Sequence, residues 1–328
     1  MEHIDVIIVG GGPAGSTCAW KLREYGIECF ILDKAVFPRD KLCAGWITPQ
    51  CALDLDLAAY PHTVVDLRRF RVRYRGLQWW IPTRQYSIRR EEFDNWLLRR
   101  SGAPVRQHHV REVTREAGHY RIDDAYTCRV LVGAGGTGCP VYRNLFAGRR
   151  PRPENARIVA IERECPRIPS DRDCRLWFGD GGLPGYAWYI PKGNDRANVG
   201  IGAYHERLRS RGLDLVRCWD AFTTKLGRLG LVEGRDFGHH GYQYYLRHDV
   251  GNVTSNNAYV IGDAAGVATR DLGEGIGPAV ESGLLAAAAI RDGRPLSLRG
   301  IVRYSLPGLV LAGMGIVPRR RRRPTKRG

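Results

Sequence analysis

The stretch IDVIIVGGGPAG, from Ile4 to Gly15, organises the whole chain. Val6 to Val9, with Ile4 ahead of Asp5, read as a short strand buried on both faces, as the first strand of a parallel sheet would be. The strand runs directly into Gly10-x-Gly12-x-x-Gly15. Gly10 suits a tight turn, Gly12 lets backbone amides approach a pyrophosphate, and Gly15 lets the next helix pack close to the strand. That helix, roughly residues 14–25, points the positive end of its dipole at the phosphates. A second strand, residues 28–32, ends at Asp33, where an acid can accept the hydroxyls of a ribose. Strand, glycines, helix, strand and acid together predict a dinucleotide site. Asp33 suits a free 2′-hydroxyl, so FAD or NAD fits better than NADP.

The 328 residues can bury a large core, as one large domain or two modest ones. Nine cysteines, with no Cys-x-x-Cys pair, argue for reduced thiols. The histidines have no zinc-binding spacing, so no metal is expected. The N-terminus lacks a basic segment ahead of its apolar run, which argues against a signal peptide and for a cytoplasmic protein. Formal net charge is +17, of which Arg319 to Arg323, Lys326 and Arg327 supply 7, leaving +10 on the rest. That remainder can steer anionic cofactors or substrates and is no sign of specific nucleic-acid binding.

Beyond Asp33 the text is irregular, a loop able to pass over a cofactor. Phe70, Val72 and Tyr74, then Leu77, Trp79 and Ile81, alternate about Arg75-Gly76 and predict a hairpin of a different, antiparallel sheet. Helical spacing returns with Phe93, Trp96 and Leu97, and Gly102 is its stop. Residues 156–248 are mostly strand-like with one helix near 213–226, the pattern of an inserted α+β domain. Nucleotide-domain text resumes at Ala258, with Gly262-Asp263 after a strand and Gly273-Glu274-Gly275-Ile276-Gly277 opening an alanine-rich helix. In a flavin site this acid can bind ribityl or phosphate oxygens, and this helix start can stabilise a reduced ring.

The expected architecture is therefore an α/β FAD-binding Rossmann-type domain interleaved with an α+β substrate domain built on an antiparallel sheet. The first comprises residues 1–66, 87–155 and 250–300, and the second residues 67–86 and 156–249. Residues 301–328 form an apolar segment and a basic tail. A second glycine pattern, Gly133-x-Gly135-x-x-Gly138, is followed at once by Pro140 without an adequate helix, and reads as another edge of the same domain.

GGGPAG with Asp33, the run Pro38, Arg39, Lys41, Cys43 and Gly45, Arg90-x-x-Phe93-Asp94, YAWYIPK at Tyr186 to Lys192, and GDAAG with GEGI resemble the geranylgeranyl reductase family. That family lies within the p-hydroxybenzoate hydroxylase-like FAD enzymes, and the resemblance extends from residue 1 to about residue 293. It implies reduction of carbon–carbon double bonds in prenyl chains by reduced FAD. Carried over by position, Gly10, Gly12, Gly15 and Asp33 hold the ADP half. Arg39 and Arg90 meet phosphates or the ribityl chain, Val110 meets the adenine through its backbone, and Gly262 with Asp263 holds the ribityl-pyrophosphate stretch. Gly273, Gly275 and Ile276 lie beside the ring. Cys43 falls in the loop by the isoalloxazine, and Tyr186, Trp188 and Lys192 line the substrate pocket.

Simpler readings stand beside these roles. Cys43 also suits a small buried filler, Tyr186 and Trp188 also suit sheet core, and Lys192 also suits a surface charge, since lysine is seldom core. The sequence departs from the family at Ala44-Gly45-Trp46, where the indole is expected to reshape the cavity, and at Ala134-Gly135-Gly136, which lacks the usual acid. With no second nucleotide domain, NAD(P)H must bind transiently, or a ferredoxin or quinol reduces the FAD. The apolar run before the arginines is too short to span a membrane. It reads either as a final packed helix with a solvated tail, or as a peripheral membrane contact through Arg319 to Arg323. Alternative functions are an aromatic monooxygenase or halogenase-like enzyme and, in another class, a non-catalytic FAD- or lipid-binding protein.

Overall fold

A computed structural model describes residues 1–167, 173–233, 238 and 240–316 of the chain; Arg319 to Arg323 lie outside the described residues. Among the described residues there are three sheets. The first is built on β2 (Val6–Val9), all four residues of which are buried. Parallel neighbours are β3 (Phe30–Asp33) and β7 (Val105–Gln107) on one side and β11 (Val130–Gly133) and β18 (Ala258–Val260) on the other; β17 (Thr254–Ser255) closes the edge antiparallel. Helix α1 (Pro13–Glu24) and helix α7 (Ile276–Arg291) cross against each other beside this sheet. Their approach is so close that a Cβ on Gly283 would stand 2.5 Å from the Ala14 carbonyl oxygen. Strands distant in sequence thus complete one nucleotide-binding sheet.

The second sheet has eight strands in the order β16 (His240–Tyr245), β12 (Arg157–Pro166), β15 (Arg196–Tyr204), β14 (Gly185–Lys192), β13 (Cys174–Phe178), β5 (Val65–Tyr74), β6 (Leu77–Ser87) and β4 (Trp46–Ile47). Its pairings are antiparallel except β13 with β5. One face packs on α6 (Leu215–Arg228), which buries Trp219, Phe222 and Leu226, and on α5 (His205–Ser210) through Leu208. The opposite face looks toward the nucleotide-binding sheet. A small third sheet of β1 (Glu2–His3), β10 (Tyr126–Cys128), β9 (His119–Ile122) and β8 (Val113–Glu116) flanks the first.

Helices α2 (Pro49–Asp54) and α3 (Arg90–Arg100) fill the join, where Cys51, Phe93 and Leu97 share a core with Ile276 and Val280 of α7. The second glycine pattern leads to a 3₁₀ turn and then α4 (Pro140–Leu145), six residues long, and among the described residues β11 before it belongs to the same sheet as β2. Helix α8 (Leu306–Gly313) packs on β6: Thr83 Oγ1 donates to the Leu309 carbonyl at 2.8 Å, and a Cβ on Gly313 would meet Pro82 O at 2.0 Å. Leu306, Val310 and Met314 on its other side are exposed. Trp46 does not reshape a cavity as expected. Its indole is buried in the sheet core, edge-on to Phe70, and Nε1 donates to Gln85 Oε1 at 2.8 Å, because that amide gives its polar edge a partner. No helix among the described residues is long and apolar enough to cross a membrane.

Candidate active site

An elongated cleft of about 550 Å³ runs along the carboxyl ends of the parallel strands. Gly10, Gly12, Asp33, Arg39, Cys43, Arg90, Val110, Gly262, Asp263, Gly273, Gly275 and Ile276 all line it. Gly15 is buried behind it, and a Cβ there would come within 1.9 Å of the Gly10 carbonyl oxygen. Gly10 has φ +109°, and a Cβ would meet Ala134 O at 2.5 Å, so the turn admits only glycine. Gly12 is the N-cap of α1 in extended conformation, with no side-chain cap and no acidic residue in the first turn. The first amides of α1 are therefore left for an anion. Asp33 receives the Gly11 amide at 2.7 Å and the Ala35 amide at 2.9 Å; its remaining lone pairs face the cleft. Gly135, Gly136 and Gly138 border the same cleft.

Two arginines on the cleft wall are held by one carboxylate. Asp94, fully buried on α3, takes a bidentate pair of 2.8 Å bonds from Arg90 and lies 3.2 Å from Arg39. Burial works against the Arg90 charge, yet Asp94 outweighs it and raises its pKa. Asp94 was legible only as part of the Arg90-x-x-Phe93-Asp94 text, without a role. Glu274 is likewise buried at the start of α7 and accepts the Gly277 amide at 2.6 Å; burial moves its pKa from 4.5 up to about 7, against the pull of that amide.

A second cavity of about 430 Å³ opens on the sheet side, and Tyr186 and Trp188 of β14 line it. It shares Tyr244 and Gly273 with the cleft. A Cβ on Gly273, at φ +62°, would stand 2.3 Å from Tyr244 Oη, so this glycine permits the sheet to touch the loop before α7. Arg75, Arg207 and Arg211 stand among its lining residues and are exposed. The register brings Glu162 of β12, Gly200 of β15 and Trp188 of β14 into one row, with Ala160, Gly202 and Tyr186 in the next. Gly200 makes room for the indole, since a Cβ there would lie 2.2 Å from Trp188 Cζ2. Trp188 Nε1 donates to Asn198 Oδ1 at 2.7 Å.

Lys192 departs from expectation. It is neither a surface charge nor in the lining of either cavity: it is 1% exposed, and Nζ donates to the carbonyls of Ala44 and Ile88, the latter at 2.8 Å. Those carbonyls replace water, and the lysine pins the loop that carries Cys43. Burial lowers its pKa to about 8, opposed by Glu164, Cys43 and Glu162. Cys43 itself is partly buried, lines the cleft, and receives the Gly45 amide on its sulfur at 3.4 Å. Sequence reasoning missed Glu162, Tyr242 and Tyr244; an acid within the apolar strand IVAIE and the two-residue spacing of the tyrosines were the available signals.

The cleft suits FAD: it follows the strand ends, Gly10 admits no side chain at the turn before α1, the uncapped start of α1 opens on it, and Asp33, Arg39, Arg90 and Asp263 line it. Residues 3–47 match the FAD binding domain family. A menaquinone reductase of Mycobacterium tuberculosis is 30% identical over 90% of this chain and 78% of its own length. A digeranylgeranylglycerophospholipid reductase of Methanosphaera stadtmanae is 26% identical over 89% of this chain and 80% of its own. A solved geranylgeranyl bacteriochlorophyll reductase-like protein of Thermoplasma acidophilum, 23% identical, superposes with a TM-score of 0.77 over 89% of this chain and 79% of that one. A cleft shaped for an extended dinucleotide and these likenesses have one meaning: the chain is an FAD-dependent oxidoreductase and belongs to the geranylgeranyl reductase family.

Proposed function

We propose that this protein reduces carbon–carbon double bonds of an apolar, isoprenoid-type substrate. The observation that carries the reading is the contact of the two cavities at Gly273 and Tyr244, which sets the aromatic lining of Tyr186 and Trp188 beside the flavin end of the cleft. FAD, when bound, supplies hydride. The chain's residues do the rest. Gly10, Gly12 and the start of α1 take the pyrophosphate, Asp33 takes the ribose, and the backbone at Val110 borders the adenine. Arg39, Arg90, Gly262 and Asp263 hold the phosphate and ribityl stretch, while Gly275 and Ile276 present α7 to the ring. Tyr186 and Trp188 exclude water from the prenyl chain, Cys43 lies on the cofactor side of it, and Lys192 positions the Cys43 loop. Arg75, Arg207 and Arg211 at the cavity mouth suit an anionic head group.

In this reading residues 67–86 and 156–249 act as the substrate domain and the remainder of 1–300 as the cofactor domain. The electron donor is NAD(P)H bound transiently, or a ferredoxin or quinol. The protein works in the cytoplasm with the exposed apolar side of α8 against a membrane surface, and the charge of Arg319 to Arg323, outside the described residues, adds attraction to anionic lipid. Names of the relatives, which include reductases of a lipoquinone and of a prenylated phospholipid, support an isoprenoid substrate. The test is anaerobic mixing of reduced protein with geranylgeranyl compounds. Reoxidation of the flavin with a saturated product is expected; turnover only with aromatics and oxygen overturns the reading.

A further inference from the structure

Glu162 is charged chemistry placed where the reading above gives it no work. It sits on the site-facing side of β12, 1% exposed, in the row that contains Trp188 and beside the tyrosine pair of β16. Tyr242 Oη donates to its Oε2 at 3.4 Å and the Asn198 amide is the other hydrogen-bonding side chain beside it, while Oε1 has no partner of good geometry among the described residues. A buried carboxylate half without a partner is costly, and protonation removes that cost. Tyr242 in turn lines the cofactor cleft and stacks on Tyr244, ring centroids 5.8 Å apart, at the junction of the two cavities.

We propose that Glu162 is the proton reserve of this site and acts through the Tyr242 hydroxyl. The inference rests on the proposed reduction of a double bond. That reaction adds a hydride, which brings the electron pair from the reduced cofactor, to one carbon and a proton to the other. With Glu162 protonated on Oε2 the same contact runs from the carboxyl to Tyr242 Oη, which turns the tyrosine proton toward the substrate; that proton leaves Oη, the carboxyl proton of Glu162 passes to the same oxygen, and a carboxylate remains until water returns a proton. Tyr242 retains its own proton at rest, because burial and the neighbouring Glu162 raise its pKa far above the ordinary value.

The groups around Glu162 come from every element packed on it: Lys192 of β14, Asn198 of β15, Tyr242 of β16, Lys41 of the loop after β3 and Arg90 of α3. His240, its register partner on β16, is exposed and bonded to Arg163 at 3.0 Å. The three cations favour the carboxylate, but burial outweighs them and moves the pKa from 4.5 up to about 7. A carboxyl of that pKa can both give and regain a proton near neutrality.

Two measurements on the full chain test this. In the first, the FAD-loaded protein is reduced anaerobically and mixed with geranylgeranyl diphosphate, and flavin reoxidation is followed as a function of pH. Glu162→Gln is expected to slow it about 100-fold with unchanged substrate KM and to abolish the fall in rate above about pH 7. Tyr242→Phe should match it, and the double variant should be no slower than either, since one relay is lost only once. Wild-type rate and pH profile in Glu162→Gln overturn the proposal.

The second measurement is infrared spectroscopy of the protein without substrate. Two carboxylic-acid bands should titrate near neutrality, from Glu162 and Glu274; one should vanish in Glu162→Gln, shift in Tyr242→Phe and survive in Glu274→Gln, and the other should vanish only in Glu274→Gln. Absence of the Glu162 band, or its indifference to Tyr242→Phe, also overturns the proposal. If the wild type is never reoxidised by a prenyl compound, the double-bond reading fails while the infrared result still decides whether Glu162 holds the proton.

Discussion

The cofactor cleft and the sheet face meet at Gly273 and Tyr244, yet they are made of different material. The cleft is largely backbone. Gly10, and Gly15 behind it, lie where a Cβ would strike a neighbouring main chain, and Arg39 and Arg90 on its wall are fixed by one buried Asp94. The sheet face is made of side chains projecting from β12, β14 and β16, with β15 kept low by Gly200 and Gly202. Backbone sites accept one shape of ligand, here a dinucleotide. Side-chain sites can change their occupant by single substitutions. Cofactor identity should therefore be robust to changes in the sheet, and substrate identity should not.

The largest effect expected is at the cleft. Asp94→Ala leaves Arg90 buried without its partner and frees Arg39, which should lower unfolding free energy by about 3–5 kcal/mol and release FAD on desalting. Retention of FAD by a stable Asp94→Ala protein would break the contrast, by showing that the arginines hold the site alone. Gly15→Ala should cost roughly 3 kcal/mol, because its Cβ would have to pass within 1.9 Å of Gly10 O. Chemical denaturation and flavin absorbance measure both variants.

How much was visible beforehand follows the same division. The glycines, Asp33 and the Gly273 to Gly277 turn were legible because dinucleotide binding imposes backbone conformations that few residues satisfy. The hairpin about Arg75-Gly76 was legible from alternation, and β5 and β6 pair from Tyr74 with Leu77 as that turn requires. Lys192 was misjudged because burial of a lysine depends on carbonyls 104 and 148 residues away, at Ile88 and Ala44. Glu162 and Tyr242 went unnoticed for a related reason. Their approach is created by the β12–β16 pairing across 80 residues, and local periodicity is silent about such partners.

Both regions contain a buried carboxyl of pKa about 7, Glu274 at the cleft and Glu162 on the sheet. Each folded-state value is raised above the ordinary 4.5, so the stability linked to it is fully present below pH 4.5 and is lost as pH rises from there through 7. At 1.36 kcal/mol per pH unit the loss is at most about 3 kcal/mol for each group. Denaturation midpoints of the apoprotein should fall between about pH 5 and pH 7.5, and Glu162→Gln and Glu274→Gln should each flatten part of that slope. Equal slopes in all three proteins would mean that neither carboxyl is kept neutral by its surroundings.

The smallest effect separates the two regions most cleanly. Gly200 lies on the sheet and lines neither cavity, but a Cβ there would stand 2.2 Å from Trp188 Cζ2 and 2.8 Å from Glu162 Cβ. Gly200→Ala must therefore move the indole, and the free direction is into the cavity it lines. The backbone of the cofactor cleft is untouched, so FAD content and its absorbance should stay as in the wild type. Substrate KM should rise about tenfold, the equivalent of about 1.4 kcal/mol, with long prenyl chains affected more than short ones. A slower flavin reoxidation at unchanged KM, equal for all chain lengths, would instead place the defect in protonation through Glu162, because a filled cavity penalises length whereas a disturbed carboxyl does not.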